Sequence, residues 1–226
     1  MPDDALAAYH AAIPQMQQGG VAAFAGGTSI AKAGVGAIVT KLIDVFAKSN
    51  LSHVGLVPPS SYWQSSDPWM IESTEWQGVS GPQFNALEPR LQIDYADEGG
   101  QAWFYPIKPE CLPLWDKIWA QAQEMFAAMK AGKLHYSVVQ LLEDANYRNA
   151  ILDTLPGSGA VDGAAEQDSG MVCSGCVASL LEAGGLPELL PPGTWLPNSR
   201  PPGSALCCTP EDVRDLPAYI DSVQIL

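Results

Sequence analysis

Three residues far apart in the chain, Cys173, His53 and Glu72, are of the types that thiol-based catalysis uses. A cysteine nucleophile needs a base to take its proton and a third polar group to orient that base. Cys173 opens the run Cys-Ser-Gly-Cys-Val-Ala-Ser-Leu-Leu-Glu-Ala-Gly-Gly. Within it Cys173, Val177, Leu180 and Leu181 recur at helical spacing, and Gly184-Gly185 stops the helix. The spacing puts Cys173 in the first turn, where free N–H groups and the helix dipole favour an anion. A thiolate is an anion, and it is the reactive form of cysteine. Ser174 and Gly175 follow directly and leave the sulfur room for a substrate. The other reading of Cys173 is a small buried hydrophobe.

The chain has three histidines. His10 falls in an N-terminal helical stretch and His135 follows a helix stop, whereas His53 opens the apolar run His-Val-Gly-Leu-Val. Glu72 sits inside Trp-Met-Ile-Glu-Ser, and acidic residues are seldom buried without a partner. If 53–57 and 69–73 pair antiparallel with Val57 near Pro68, His53 lies opposite Glu72. Cross-strand side chains are about 5 Å apart, which suits a carboxylate holding an imidazole tautomer. A half-buried structural histidine and a Glu facing water from an edge strand are the alternatives.

The elements that must position these residues are mixed. Helices are expected over 3–18, 110–131 and 136–151, with a further apolar stripe over 35–46. Strands are expected at 21–24, 53–57, 69–73, 102–107 and 219–225. A Gly-Gly turn at 26–27 and two loop insertions, 153–170 and 187–210, interrupt them; the second holds seven prolines. Strands and helices do not alternate regularly, so the pattern favours α+β, with 1–226 as one domain.

Hydrophobic residues make up 47% of the 226, enough for a substantial core. Eleven Lys and Arg against twenty-five Asp and Glu leave a formal charge of −14. That argues against nucleic acid as a partner. The N-terminus lacks the basic and apolar runs of a secretory signal, and charges interrupt 33–47, so no membrane span and a cytoplasmic setting are expected. Five cysteines, two of them adjacent at 207–208, argue against a disulfide framework. Cys173-x-x-Cys176 could also be a redox pair or, with Cys207-Cys208, a zinc site. Adjacent cysteines are uncommon in zinc sites, so no metal and no cofactor are expected.

The segment Val-Cys-Ser-Gly-Cys-Val resembles the Asp-Cys-Ser-Gly-Leu-Val motif of NlpC/P60 cysteine peptidases, and Lys-Leu-His-Tyr resembles that family's segment ending in a tyrosine, here Tyr136. The order here is Ser-His-Val-Gly-Leu-Val, then Ile-Glu-Ser, then the cysteine. That order resembles the circularly permuted branch, which includes YiiX-like and lecithin retinol acyltransferase-like proteins. Its pattern runs Ser-His-x-Gly-Ile-Val, Ile-Glu-Ala, Gly-x-x-Tyr, Tyr-Cys-Ser-Glu-Leu-Val. Gly132–Tyr136 is one residue longer than that spacing, and Val172, Gly175 and Cys176 stand where the pattern has Tyr, Glu and Leu.

The resemblance spans about residues 20–225 and implies a permuted papain-like α+β fold, an antiparallel sheet packed on helices. It implies Cys173 as nucleophile, His53 as base and Glu72 as orienting residue. Tyr136 and Ser174 would support the substrate or oxyanion, and the Cys173 N–H would donate to the oxyanion. The expected activity is a thiol hydrolase cleaving amides of peptide or cell-wall peptide type through an acyl-enzyme. The alternatives are a lipid acyltransferase or thioesterase on the same fold, with 35–46 supplying an apolar groove, and a non-catalytic binding module. The substrate would be a peptide or a small acyl molecule.

Overall fold

The computed structural model describes residues 6–25, 51–92, 100–135, 173–199, 202–205 and 208–226. The Gly-Gly turn at 26–27, the 35–46 stripe, the 136–151 helix, Tyr136, the 153–170 loop and Cys207 lie outside them.

The fold is α+β. Among the described residues six strands form one antiparallel sheet in the order β4-β3-β2-β1-β5-β6. They are β1 Gly20–Ala25, β2 His53–Val57, β3 Trp69–Trp76, β4 Val79–Ala86, β5 Gln101–Pro106 and β6 Val223–Gln224. Among the described residues three longer helices cover it: α1 Ala7–Met16, α2 Trp115–Lys130 and α3 Cys173–Gly184.

Both faces of the central strands β1 and β2 are buried, which is why these two read as nearly continuous apolar runs. Alternate residues go to opposite sides. Val21, Ala23, Val54, Leu56 and Ile71 pack with Ile118 of α2 and Val177 and Leu181 of α3. Ala22, Phe24, Val57, Met70 and Phe104 pack with Tyr9 and Met16 of α1. The two helices on the first face approach closely at Gly184, where an added Cβ would stand 2.6 Å from Ile118 Cγ1.

Four expectations need correction. The strand β4 was not expected at all. It joins β3 through a two-residue turn, Gln77-Gly78, in which both residues have positive φ, 49° and 79°. Such a hairpin turn is usually announced by Asn-Gly or Asp-Gly. Gly81 and Pro82 further weaken the strand signal, although Pro is tolerated on an edge strand.

The second correction is the register of β2 on β3. Leu56 pairs with Ile71, not with the Pro68–Trp69 end. Continued along the strands, this sets Gly55 level with Glu72, and Thr74 level with His53. The shift is two residues, so no side chain changes face. Third, residues 109–114 form a 3-10 segment, and α2 begins only at Trp115, after Pro113. Last, the C-terminal strand shortens to Val223–Gln224, with a separate bridge from Tyr219 to Ile107.

Among the described residues no helix is long and apolar enough to cross a membrane.

Candidate active site

His53 enters the sheet as the first residue of β2, paired with Phe24 of β1. Its position is held from two sides. Ser52 donates its N–H to the Phe24 carbonyl at 2.8 Å, and Leu51 donates its N–H to Glu211 Oε1 at 2.9 Å. The Phe24 ring tilts against the imidazole, centroids 5.7 Å apart.

Glu72 comes from β3 and is fully buried. Its Oε2 lies 2.6 Å from His53 Nε2. Two further side chains hold the carboxylate. Asn85 of β4 donates its Nδ2 to Oε1 at 2.8 Å. Arg90, at the end of the short helix Leu87–Arg90, donates Nη2 to Oε2 at 3.0 Å and brings Nε within 2.9 Å of Oε1. The register shift explains the need for length. Glu72 is diagonal to His53, and diagonal side-chain positions are roughly 7–8 Å apart.

Cys173 is the first described residue of α3, which packs on α2, β2 and β3. Its sulfur hydrogen-bonds to the His53 side chain and accepts the N–H groups of Val54 and Ser174. With Nε2 of His53 engaged by Glu72, Nδ1 is the ring nitrogen left for the sulfur. The β2–β3 ladder is registered at Leu56 and Ile71 only, and at the other end of β2 Val54 gives its N–H to the sulfur.

The charges fit one arrangement. Burial pushes the Cys173 thiol up, but the charge of His53, its hydrogen bond and the two N–H donors outweigh this and hold the thiol below its ordinary range. Burial pulls His53 down, but the Cys173 thiolate and then Glu72 outweigh it and carry the imidazole up to about 9. Burial pushes Glu72 up, but Arg90, followed by His53 and Asn85, holds it down at about 2. These shifts favour transfer of the Cys173 proton to His53 beside an ionised glutamate.

Ser174 does not point at this cluster. Its hydroxyl donates to the Cys208 carbonyl at 2.7 Å and ties the start of α3 to the C-terminal segment. That segment is fixed by a capping box, in which Thr209 and Asp212 satisfy each other's backbone N–H groups. The hydroxyl of Ser174 is thus an anchor, while its N–H serves the sulfur. Cys176 is fully buried, and burial pushes its thiol up, with Cys173 and Glu72 acting the same way. The Cys208 thiol donates to the Ala205 carbonyl at 3.2 Å. Among the described residues no group of three or more His, Cys, Asp or Glu side chains could hold a metal ion. His10, on α1, is exposed and lies 3.9 Å from Glu88.

Sequence reasoning missed Asn85 and Arg90. Asn85 was lost with β4. It also lines a cleft of about 420 Å³ with Gln64, Gln83, Phe84, Trp119 and Phe126, so one side chain separates that cleft from Glu72. Arg90 carried one signal, a lone cation eighteen residues from a Glu expected to need a partner.

Comparison of the chain with family models, curated proteins and solved structures finds no match.

Proposed function

We propose that the protein is a thiol hydrolase that cleaves an amide or ester through an acyl-enzyme on Cys173. The observation that carries this is the linkage of three buried side chains, Cys173 to His53 to Glu72, in which the thiol is held below its ordinary range. A cysteine that serves only packing has its thiol pushed up by burial, as at Cys176.

The chemistry is as follows. The Cys173 thiolate attacks the carbonyl carbon and forms a C–S bond, and the carbonyl oxygen becomes an oxyanion. The N–H groups of Val54 and Ser174, which support the sulfur, and the N–H of Cys173 itself would donate to that oxygen. The tetrahedral intermediate collapses as the imidazolium of His53 gives its proton to the leaving amine or alkoxide. Neutral His53 then takes a proton from water, which attacks the thioester and releases the acid. The thiolate leaves, and His53 keeps the proton, restoring the pair. Glu72 stays ionised throughout and fixes the ring.

The resemblance to permuted NlpC/P60 hydrolases points to peptide-type amides as the substrate class. The lipid acyltransferase or thioesterase alternative drew on residues 35–46, which lie outside the described residues. The binding-module alternative draws on one observation, that Cys173 is only 3% exposed. Alkylation with a thiol-directed probe near pH 6, followed by mass-spectrometric assignment, decides between them. Preferential labelling of Cys173, and turnover of an amide or thioester lost in Cys173→Ala, supports the hydrolase. Labelling no faster than at Cys111 favours the binding module.

A further inference from the structure

The charge on Glu72 poses a problem for the site as described so far. A glutamate 2.6 Å from an imidazole is itself a counter-ion for the imidazolium. A histidine protonated from solvent and paired with Glu72 would have little need of a thiolate. The proton on His53 would then not have come from Cys173, and the sulfur would remain a thiol.

Arg90 changes this balance. It is fully buried, and its guanidinium meets both oxygens of Glu72. The Trp76 ring covers it, with Cζ 4.4 Å from the ring centroid. Buried charges persist where they are paired, and here the pair is Glu72 with Arg90. Resting on the thiol-hydrolase reading, we infer that Arg90 is a positioning residue of the site: its guanidinium cancels the charge of Glu72, so that Glu72 orients His53 while the Cys173 thiolate is left as the counter-ion of the imidazolium.

The sign follows from counting charges in the buried cluster. With Arg90, losing the Cys173 proton beside a protonated His53 takes the cluster from one net positive charge to neutrality. Without Arg90, the same step takes it from neutrality to one net negative charge, which burial disfavours. The other groups facing the cluster do not alter this count. Cys176, on α3, stays protonated, since burial pushes its thiol up. Asn85, on β4, is neutral. Glu88, on the helix of Arg90, faces His10, and Glu211 accepts the N–H of Leu51.

The test is the pH–rate profile of Cys173 alkylation by iodoacetamide in the wild-type chain, in Arg90→Met and in the double variant Glu72→Gln/Arg90→Met. Thiol ionisation is read, not turnover. In Arg90→Met the low-pH limb should move up by about one unit or more, roughly a tenfold loss of rate at pH 6. In the double variant no buried charge is left unpaired, and the rate at pH 6 should return to within about threefold of wild type. A merely structural role for Arg90 predicts the opposite, a double variant at least as impaired as the single one. Should Arg90→Met fail to fold, the double variant decides alone. A limb within about half a unit of wild type supports the inference, and one raised by about a unit or more overturns it. A wild-type Cys173 that reacts no faster than Cys111 would instead remove the hydrolase reading, and this inference with it.

Discussion

His53 Nε2 and Glu72 Oε2 meet at 2.6 Å along a diagonal of the β2–β3 pair, not straight across it. The position level with Glu72 is Gly55, and an added Cβ there would stand 2.4 Å from Met70 Sδ. A diagonal needs a long side chain to close it. Glu72→Asp keeps the charge and loses one methylene of reach. The expected outcome is a fall in turnover together with a downward move of the His53 titration from about 9, because the imidazolium loses a partner. An upper limb of the kcat/KM profile that stays put in Glu72→Asp would show that reach is not what Glu72 supplies.

The same pair sets the wild-type pH profile. Cys173 and His53 titrate together, so the two limbs belong to the pair. The thiolate should persist well below the usual thiol range, and the imidazolium up to about 9. Alkylation of Cys173 at pH 6 should therefore be much faster than that of Cys111 or Cys176, whose thiols burial pushes up. His53→Ala should slow it at pH 6 by roughly tenfold or more, since one unit of thiol shift is tenfold in thiolate. His10→Ala and His135→Ala should leave the profile in place. Turnover should fall above pH 9, where His53 no longer carries the proton for the leaving group.

Acid stability should report on Glu72. Its folded value of about 2 lies below the unfolded value for Glu, so it stabilises the fold above the unfolded value. That contribution is lost as pH falls from about 4 through about 2, and amounts to a few kcal/mol, on the order of 3. Urea midpoints measured at pH 6 and pH 3 give the slope. The double variant Glu72→Gln/Arg90→Met has no such group at this position, and its midpoint should fall less between the two pH values. Equal falls in the two proteins would mean that other carboxylates carry the acid sensitivity.

The parts legible in the sequence are those written in local periodicity. The helix after Cys173, the strand from His53 and the strand from Trp69 each follow from a run whose spacing is its own evidence. The companionship of His53 and Glu72 was legible too, because a two-residue error in register leaves side chains on the same face. Asn85 and Arg90 were not legible for different reasons. Asn85 depends on a hairpin whose turn residues, Gln77-Gly78, lack the usual signature. Arg90 depends on a tertiary contact made by a four-residue helix, and no periodicity exists in so short an element. The anchoring bond of the Ser174 hydroxyl was not legible either, because its partner, the Cys208 carbonyl, is thirty-four residues away.

Ser174→Ala tests that anchor. The hydroxyl bond to the Cys208 carbonyl is buried, and removing it leaves the carbonyl without that donor. The expected cost is about 1–3 kcal/mol of stability, read from denaturant unfolding. The Ser174 N–H is retained, so the alkylation profile of Cys173 should keep its limbs. A raised thiol limb with unchanged stability would return the hydroxyl to the site.

The β3–β4 turn offers a prediction of the opposite sign. Gln77 is held at φ 49°, a left-handed conformation that costs an ordinary side chain energy. Asn visits that region more readily, and Asn-Gly is the pair that such two-residue hairpins favour. Gln77→Asn should therefore stabilise the protein by roughly 0.5–1 kcal/mol. The gain should appear as a higher urea midpoint with an unchanged slope, since the surface exposed on unfolding stays the same. It should leave Cys173 alkylation unaltered, because the turn acts on β4 as a whole and Asn85 keeps its place in the register opposite Met70. A destabilised Gln77→Asn protein would mean that Gln77 makes a contact of its own that outweighs the backbone preference.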